Sequence, residues 1–121
     1  MIHKINLKDK FASFDDTWSP KLVGEVNEFH VKLSKVKGDF IWHHHESEDE
    51  LFLVVKGKLR IKLRGQEDLV LAPGELAIIP RGVEHNPVAD EETHVVLFEP
   101  AGTLNTGNVQ NERTVNNLKK I

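Results

Sequence analysis

Residues 38–57 read Gly38-Asp39-Phe40-Ile41-Trp42-His43-His44-His45-Glu46-Ser47-Glu48-Asp49-Glu50-Leu51-Phe52-Leu53-Val54-Val55-Lys56-Gly57, and this stretch decides the fold. Successive residues of an extended chain point to opposite faces. His43 and His45 therefore share a face, and His44 points away. Glu50 follows the polar loop Glu46-Ser47-Glu48-Asp49. Residues that flank a tight connection face one another, which sets Glu50 against His45 across the corner. The parity runs on through Phe52 and Val54. Across the Lys56-Gly57 turn it continues through Leu59, Ile61 and Leu63, with Arg60 and Lys62 pointing out. Two imidazoles and a carboxylate thus fall on the apolar inner wall of a β-structure. Polar groups are costly there unless they are paired or bound to something.

Taken alone, His43-x-His45 reads equally well as a half-buried polar pair. Glu50 and the bounding glycines turn the reading towards a ligand set. Neutral imidazoles with one carboxylate suit a divalent metal such as Fe, Mn, Ni, Co, Cu or Zn. Three ligands from one corner need a fourth from elsewhere. His85, just after Pro80-Arg81-Gly82-Val83-Glu84, is the candidate. Ile41 shares the parity of His43, and Phe52 that of Glu50. Together with Ile61 and His94 they are expected to line the pocket, against the plainer readings of core packing for Phe52 and a strand edge for His94. No separate general base is identifiable, since Glu50 is taken up as a ligand.

Outward from this stretch the chain reads as short strands punctuated by turns. Phe29, Val31 and Leu33 alternate with His30, Lys32 and Ser34, and Lys37-Gly38-Asp39 reads as a turn. Leu51–Val55, Leu59–Leu63, Leu69–Leu71, Leu76–Ile79 and His94–Phe98 are the further strands, with turns at Arg64-Gly65-Gln66, Ala72-Pro73-Gly74 and Pro100-Ala101-Gly102. A turn every 8–12 residues or so argues for an all-β sandwich or barrel. No helix is expected, because helical apolar spacing is nowhere sustained. Residues 1–20 read as an N-terminal arm packing on the barrel or a partner, 21–104 as the β-barrel and 105–121 as a polar C-terminal tail.

The chain has 121 residues, 39% apolar and 29% charged, which fits one soluble domain. Its net charge is −3 and its 16 basic residues are scattered, so no nucleic-acid surface is expected. Lys58, Arg60, Lys62 and Arg64 read as a solvated strand face. There is no cysteine, which excludes disulfides and thiolate metal sites. No apolar run reaches the ~18 residues of a membrane span, and the N-terminus has no signal-peptide core. A cytoplasmic protein is the expectation. Leu51, Leu53 and Val55 face outward, opposite Phe52 and Val54, and Val96 and Phe98 lie opposite Val95 and Leu97. A strand apolar on both faces is normally covered on both; the N-terminal arm or a second copy of the chain can supply that cover, and a homodimer is the expectation.

Two motifs carry a resemblance to a known family. The first is Gly38-x4-His43-x-His45-x4-Glu50-x6-Gly57, and the second is Gly74-x5-Pro80-x-Gly82-x2-His85. In order and separation they resemble the two motifs of the cupin superfamily. The stretches Trp18-Ser19-Pro20-Lys21 and Glu99-Pro100-Ala101-Gly102-Thr103-Leu104-Asn105-Thr106-Gly107 extend the resemblance to small single-domain cupins, often labelled mannose-6-phosphate isomerase-like. Two positions depart from the pattern. Four residues rather than five separate Gly38 from His43, and Ala89 stands where the second motif carries Asn.

The resemblance implies a double-stranded β-helix, or jelly roll, with His43, His45, Glu50 and His85 around one divalent metal ion. An octahedral ion would keep open positions for a small-molecule ligand or substrate. Three functions compete on these grounds. They are a metal-dependent enzyme of isomerase or dioxygenase type, a binding module for a sugar-like or anionic small molecule, and an interaction protein with a vestigial metal.

Overall fold

The computed structural model describes all 121 residues. A short helix, α1 (Leu7–Phe11), precedes eight strands: β1 (Lys21–Val26), β2 (Phe29–Asp39), β3 (Glu50–Lys56), β4 (Leu59–Leu63), β5 (Leu69–Leu71), β6 (Leu76–Ile79), β7 (His85–Pro100) and β8 (Lys119–Lys120). They pair in the order β5-β4-β7-β2-β1-β8, with β3 bridging β7 and β6. Apart from the parallel β1–β8 contact, every pairing is antiparallel. The architecture is an all-β jelly roll.

The long strand β7 organises it. Its first residues, His85 to Val88, pair with β4, and its last half, His94 to Phe98, pairs with β3. One strand therefore belongs to both layers, and the exposed bend Asp90-Glu91-Glu92 marks where it crosses. Between the layers lies a core of Val36, Phe52, Val54, Leu59, Ile61, Leu63, Leu71, Ile79, Ala89, Val95 and Leu97. The inward parity read from Glu50 to Leu63 is the parity observed: β3 and β4 alternate buried with less buried side chains.

Four local readings change. Lys37-Gly38-Asp39 is not a turn but the end of β2, with a register shift between Val36 and Gly38 and Gly38 at φ +79°. A left-handed glycine serves a bulge as readily as a turn. The extended stretch from Phe40 to His45 forms no regular strand; only a single bridge from His43 to His85 ties it to β7. The last long strand begins at His85, well before His94. A helix exists after all: Asn6 caps α1, its side-chain oxygen accepting from the Asp9 N–H at 3.0 Å. At five residues, α1 is too short for helical periodicity to register.

Both termini fold onto the barrel. Phe11 and Phe14 bury against Leu33 on the outer face of β2, together with Leu7, Val23, Val96 and Ile121. The Lys35 ammonium, buried beneath this arm, donates to the Phe14 carbonyl at 2.6 Å. At the other end Thr103 and Thr106 are buried, and β8 lies parallel to β1. The segment that reads as a polar tail is a strap across one mouth of the barrel. No helix is long and apolar enough to cross a membrane.

Candidate metal centre

Four side chains from three places converge inside the barrel. His43 and His45 come from the segment after β2, Glu50 opens β3, and His85 opens β7. All four are buried, and one ligand atom from each lies within 4.8 Å of the others. Backbone bonds hold the convergence. The His43 N–H donates to the His85 carbonyl at 3.0 Å, and the His85 N–H donates back at 2.9 Å. The Gly82 N–H donates to the His45 carbonyl at 2.8 Å. The strap adds a second clamp: the His44 N–H donates to the Asn108 side chain at 2.9 Å, and the Asn108 N–H to the His44 carbonyl at 3.0 Å.

The imidazoles are oriented as metal ligands are. Nδ1 of His43 lies 2.9 Å from the Ile41 carbonyl, and Nδ1 of His85 lies 2.8 Å from the Val83 carbonyl. A ring nitrogen committed to a carbonyl must carry the proton, which leaves the other as a lone pair. Nε2 of His45 and of His85 approach Glu50 Oε1 at 3.3 and 3.4 Å. Those three atoms are sealed from solvent, yet none makes a hydrogen bond. Unsatisfied buried polar atoms are expensive, and a cation between them would satisfy all three. The donor set fits a divalent ion.

The protonation states agree. Burial, and then the neighbouring His85, lower the His43 pKa to about 4, so its imidazole is neutral at neutral pH. Burial would raise Glu50, but the close approach of the His45 and His85 imidazoles outweighs it and holds the carboxyl well below its usual range.

A cavity of about 50 Å³ that opens to solvent adjoins the cluster, with His43 and Glu50 in its lining. Phe52 lines it, as its parity with Glu50 requires. The other side chains expected there lie elsewhere. Ile61 is fully buried in the core and paired with Pro87. Ile41 is half-buried and contributes its carbonyl to His43. His94 points to the opposite face, its ring stacked on Phe11 at 4.5 Å. It sits one residue out of phase with Val95 and Leu97, so the same alternation that buries them turns it away.

The cavity also holds polar groups that sequence reasoning missed. Lys32 and Glu99 line it as a buried pair, Nζ to Oε2 at 3.2 Å. Burial first, then the charge of Glu50, push the Glu99 carboxyl well above its usual range. Glu99 continues the inward series Val95, Leu97, and Lys32 precedes the inward Ser34 and Val36. That parity was the available signal. The mouth is walled by Trp18, stacked on Phe40 at 4.7 Å, and by Val115 and Leu118 of the strap.

Residues 29–99 match the model of the cupin domain family, which is well over half of the chain. The chain is a cupin. A solved cupin-2 domain protein from Shewanella frigidimarina is 46% identical, with a TM-score of 0.77, over 79% of this cupin and 93% of that chain. The uncharacterized protein YdbB of Bacillus subtilis (strain 168) is 37% identical over 79 residues. Acireductone dioxygenase of Aspergillus fumigatus is 36% identical over 81 residues. These matches take in 65% and 64% of this cupin but only 64% and 43% of the relatives' own lengths.

Proposed function

We propose that this cupin binds one divalent metal ion through His43, His45, Glu50 and His85 and acts on a small molecule in the adjoining cavity, with dioxygenase chemistry as the reaction class. The observation that carries the reading is the set of sealed, unpartnered ligand atoms beside an open cavity. Such an ion supplies a Lewis acid, or an O₂-binding centre when it is Fe(II). The chain's own residues do the rest. Ile41 and Val83 fix the imidazole tautomers, Glu50 brings the compensating negative charge, and Phe40, Phe52 and Leu59 keep the cavity dry. The likeness to acireductone dioxygenase supports oxygen chemistry over isomerisation. The test is metal analysis of the purified protein, followed by oxygen-uptake measurements on the Fe(II)-loaded form with enediols and dihydroxyarenes. One equivalent of metal in the wild type, lost in the His43→Ala/His45→Ala variant, is the expected result. Stoichiometric metal in that variant refutes the ligand set, and no uptake with any compound refutes the reaction class.

A homodimer belongs to the same reading. Leu76 and Ile78 of β6 are 53% and 59% exposed. They sit in register with Leu53 and Leu51 of β3, and β6 has no partner on its far edge. An exposed apolar edge invites pairing, and a second copy of this face would cover it. Sedimentation at micromolar concentration should give a dimer that Ile78→Asp dissociates without loss of metal. A wild-type monomer refutes it.

A further inference from the structure

Lys32 and Glu99 are the feature of the cavity that the metal reading leaves unused. They are 2% and 1% exposed, and both border the cavity. The Lys32 ammonium donates to Glu99 Oε2 at 3.2 Å and to the Thr103 carbonyl at 3.1 Å. An ammonium has three N–H groups, so one remains. Glu99 Oε1 is sealed and has no partner. A buried lysine–carboxyl pair contributes little net stability against apolar side chains of the same volume, and one left incompletely hydrogen-bonded contributes less. The pair is therefore poorly explained as scaffolding.

Strand register says where the spare donor and acceptor lie. Leu51 pairs with Phe98 and Phe52 with Leu97, so the next step of the same ladder sets Glu50 opposite Glu99. Lys32 pairs with Leu97 on the other flank of β7, the diagonal position from Glu99. Glu99 is thus one strand spacing, about 4.8 Å, from a metal ligand. The rest of the lining is mainly apolar, Val36, Phe40, Leu59 and Val95 among it, with Ser34, Thr103 and Asn105 as the other polar side chains.

We propose that Lys32 and Glu99 form a hydroxyl-binding pair that selects small molecules carrying two oxygen functions on adjacent carbons and an apolar remainder. A hydroxyl is the group that can exchange a hydrogen bond with Glu99 Oε1 in either direction while accepting from the third Lys32 N–H. Its neighbouring oxygen then falls at the His43–Glu50 side, where the metal's open positions face the cavity. This specificity rests on the metal reading above, and it narrows the substrate to the vicinal diol, enediol or α-hydroxy carbonyl class.

Binding to the Zn(II)-loaded protein, in which no redox turnover interferes, tests it. The probes are 1,2-dihydroxybenzene, 1,4-dihydroxybenzene and phenol, followed by calorimetry, with metal content measured on each sample. Expected is a preference for the 1,2-isomer over both others. Lys32→Met and Glu99→Gln should each weaken 1,2-dihydroxybenzene about tenfold, as loss of one charge-assisted hydrogen bond implies, and weaken phenol less than the 1,2-isomer. The Lys32→Met/Glu99→Leu variant keeps an apolar replacement for the pair. It should stay folded and metal-bound and lose the preference altogether.

Equal affinity for the two isomers in the wild type overturns the proposal, as does equal weakening of phenol and 1,2-dihydroxybenzene in the variants. Failure of the wild type to bind the 1,2-isomer at about 1 mM, the level of the weakest useful complexes, also overturns it. Absence of zinc from the wild type is the separate failure of the metal reading.

Discussion

Gly107→Ala puts the strap to the test, because Gly107 lies against His43 and His44. A Cβ at this position would run into the His44 carbonyl oxygen and come within 3.0 Å of His43 Cδ2. The backbone there is left-handed, at φ +56°. Gly102→Ala is the natural control, since it shares the left-handed backbone at φ +89° but has open space where its Cβ would go. Each variant meets about 1–2 kcal/mol of backbone strain. Gly107→Ala must also push the His44 carbonyl off the Asn108 N–H, a hydrogen bond of 3.0 Å worth about 1 kcal/mol. Shifting His43 on the same segment costs metal affinity about 10–100-fold, as loss of a ligand's supporting contact does. Thermal unfolding and competition with a chromogenic chelator measure the two effects. Gly107→Ala should melt a few degrees below Gly102→Ala and hold zinc at least about tenfold more weakly, against no change in metal affinity for Gly102→Ala. Indistinguishable melting and zinc affinity in the two variants would refute the idea that the strap supports the ligands.

Acid should destabilise the metal-free protein. The folded state holds His43 neutral down to about pH 4, whereas an unfolded imidazole protonates near 6.5, so the unfolded chain binds the extra proton in between. Stability then falls as pH drops from about 6.5 towards 4, by about 3 kcal/mol at most, in denaturant titrations of chelated protein; a flat profile across that window counts against it. Phe11→Ala should cost about 3 kcal/mol in the same titrations, because its ring is buried against Phe14, Leu33 and His94. A loss below about 1 kcal/mol would mean that the arm does not belong to the cooperative unit. Arg113→Ala should cost well under that, yet speed ligand release, since its guanidinium sits over the Trp18 and Phe40 rings at the cavity mouth. Stopped-flow release rates equal to wild type would exclude a role in closing the mouth.

Three members of the buried cluster were legible because their logic is local, whereas His85 came only with the second motif. Alternation places His43, His45 and Glu50 without any knowledge of the rest of the chain, and it holds even though residues 40–49 form no regular strand. Two-way backbone bonds between His43 and His85 do the work that a ladder would have done. Lys32 and Glu99 were harder to see because a lysine and a glutamate 67 residues apart carry no local signal of pairing. They meet only through the β2–β7 register. The cavity lining failed for Ile61 because parity distinguishes inside from outside but not the packed end of a barrel from its open end. His94 failed because alternation does not by itself say which face is inner, and His94 shares the outward phase of Val96 and Phe98. The strap failed because polar composition marks solvent exposure in general, and here Thr103, Thr106 and Asn105 satisfy one another's neighbourhood with short-range hydrogen bonds.

The double membership of β7 limits how this molecule can change length. His85 stands at one end and Glu99 at the other, both at odd positions, with the inward Ala89, Thr93, Val95 and Leu97 keeping step between them. One residue inserted after Thr93 would exchange Glu99 for Phe98 on the inner wall and so trade a carboxylate for a ring beside Glu50. The same insertion at Asp90–Glu92 would bulge harmlessly into water. Descendants of this sequence can grow at that bend, and anywhere else along the strand a single codon gained or lost would cost them the site.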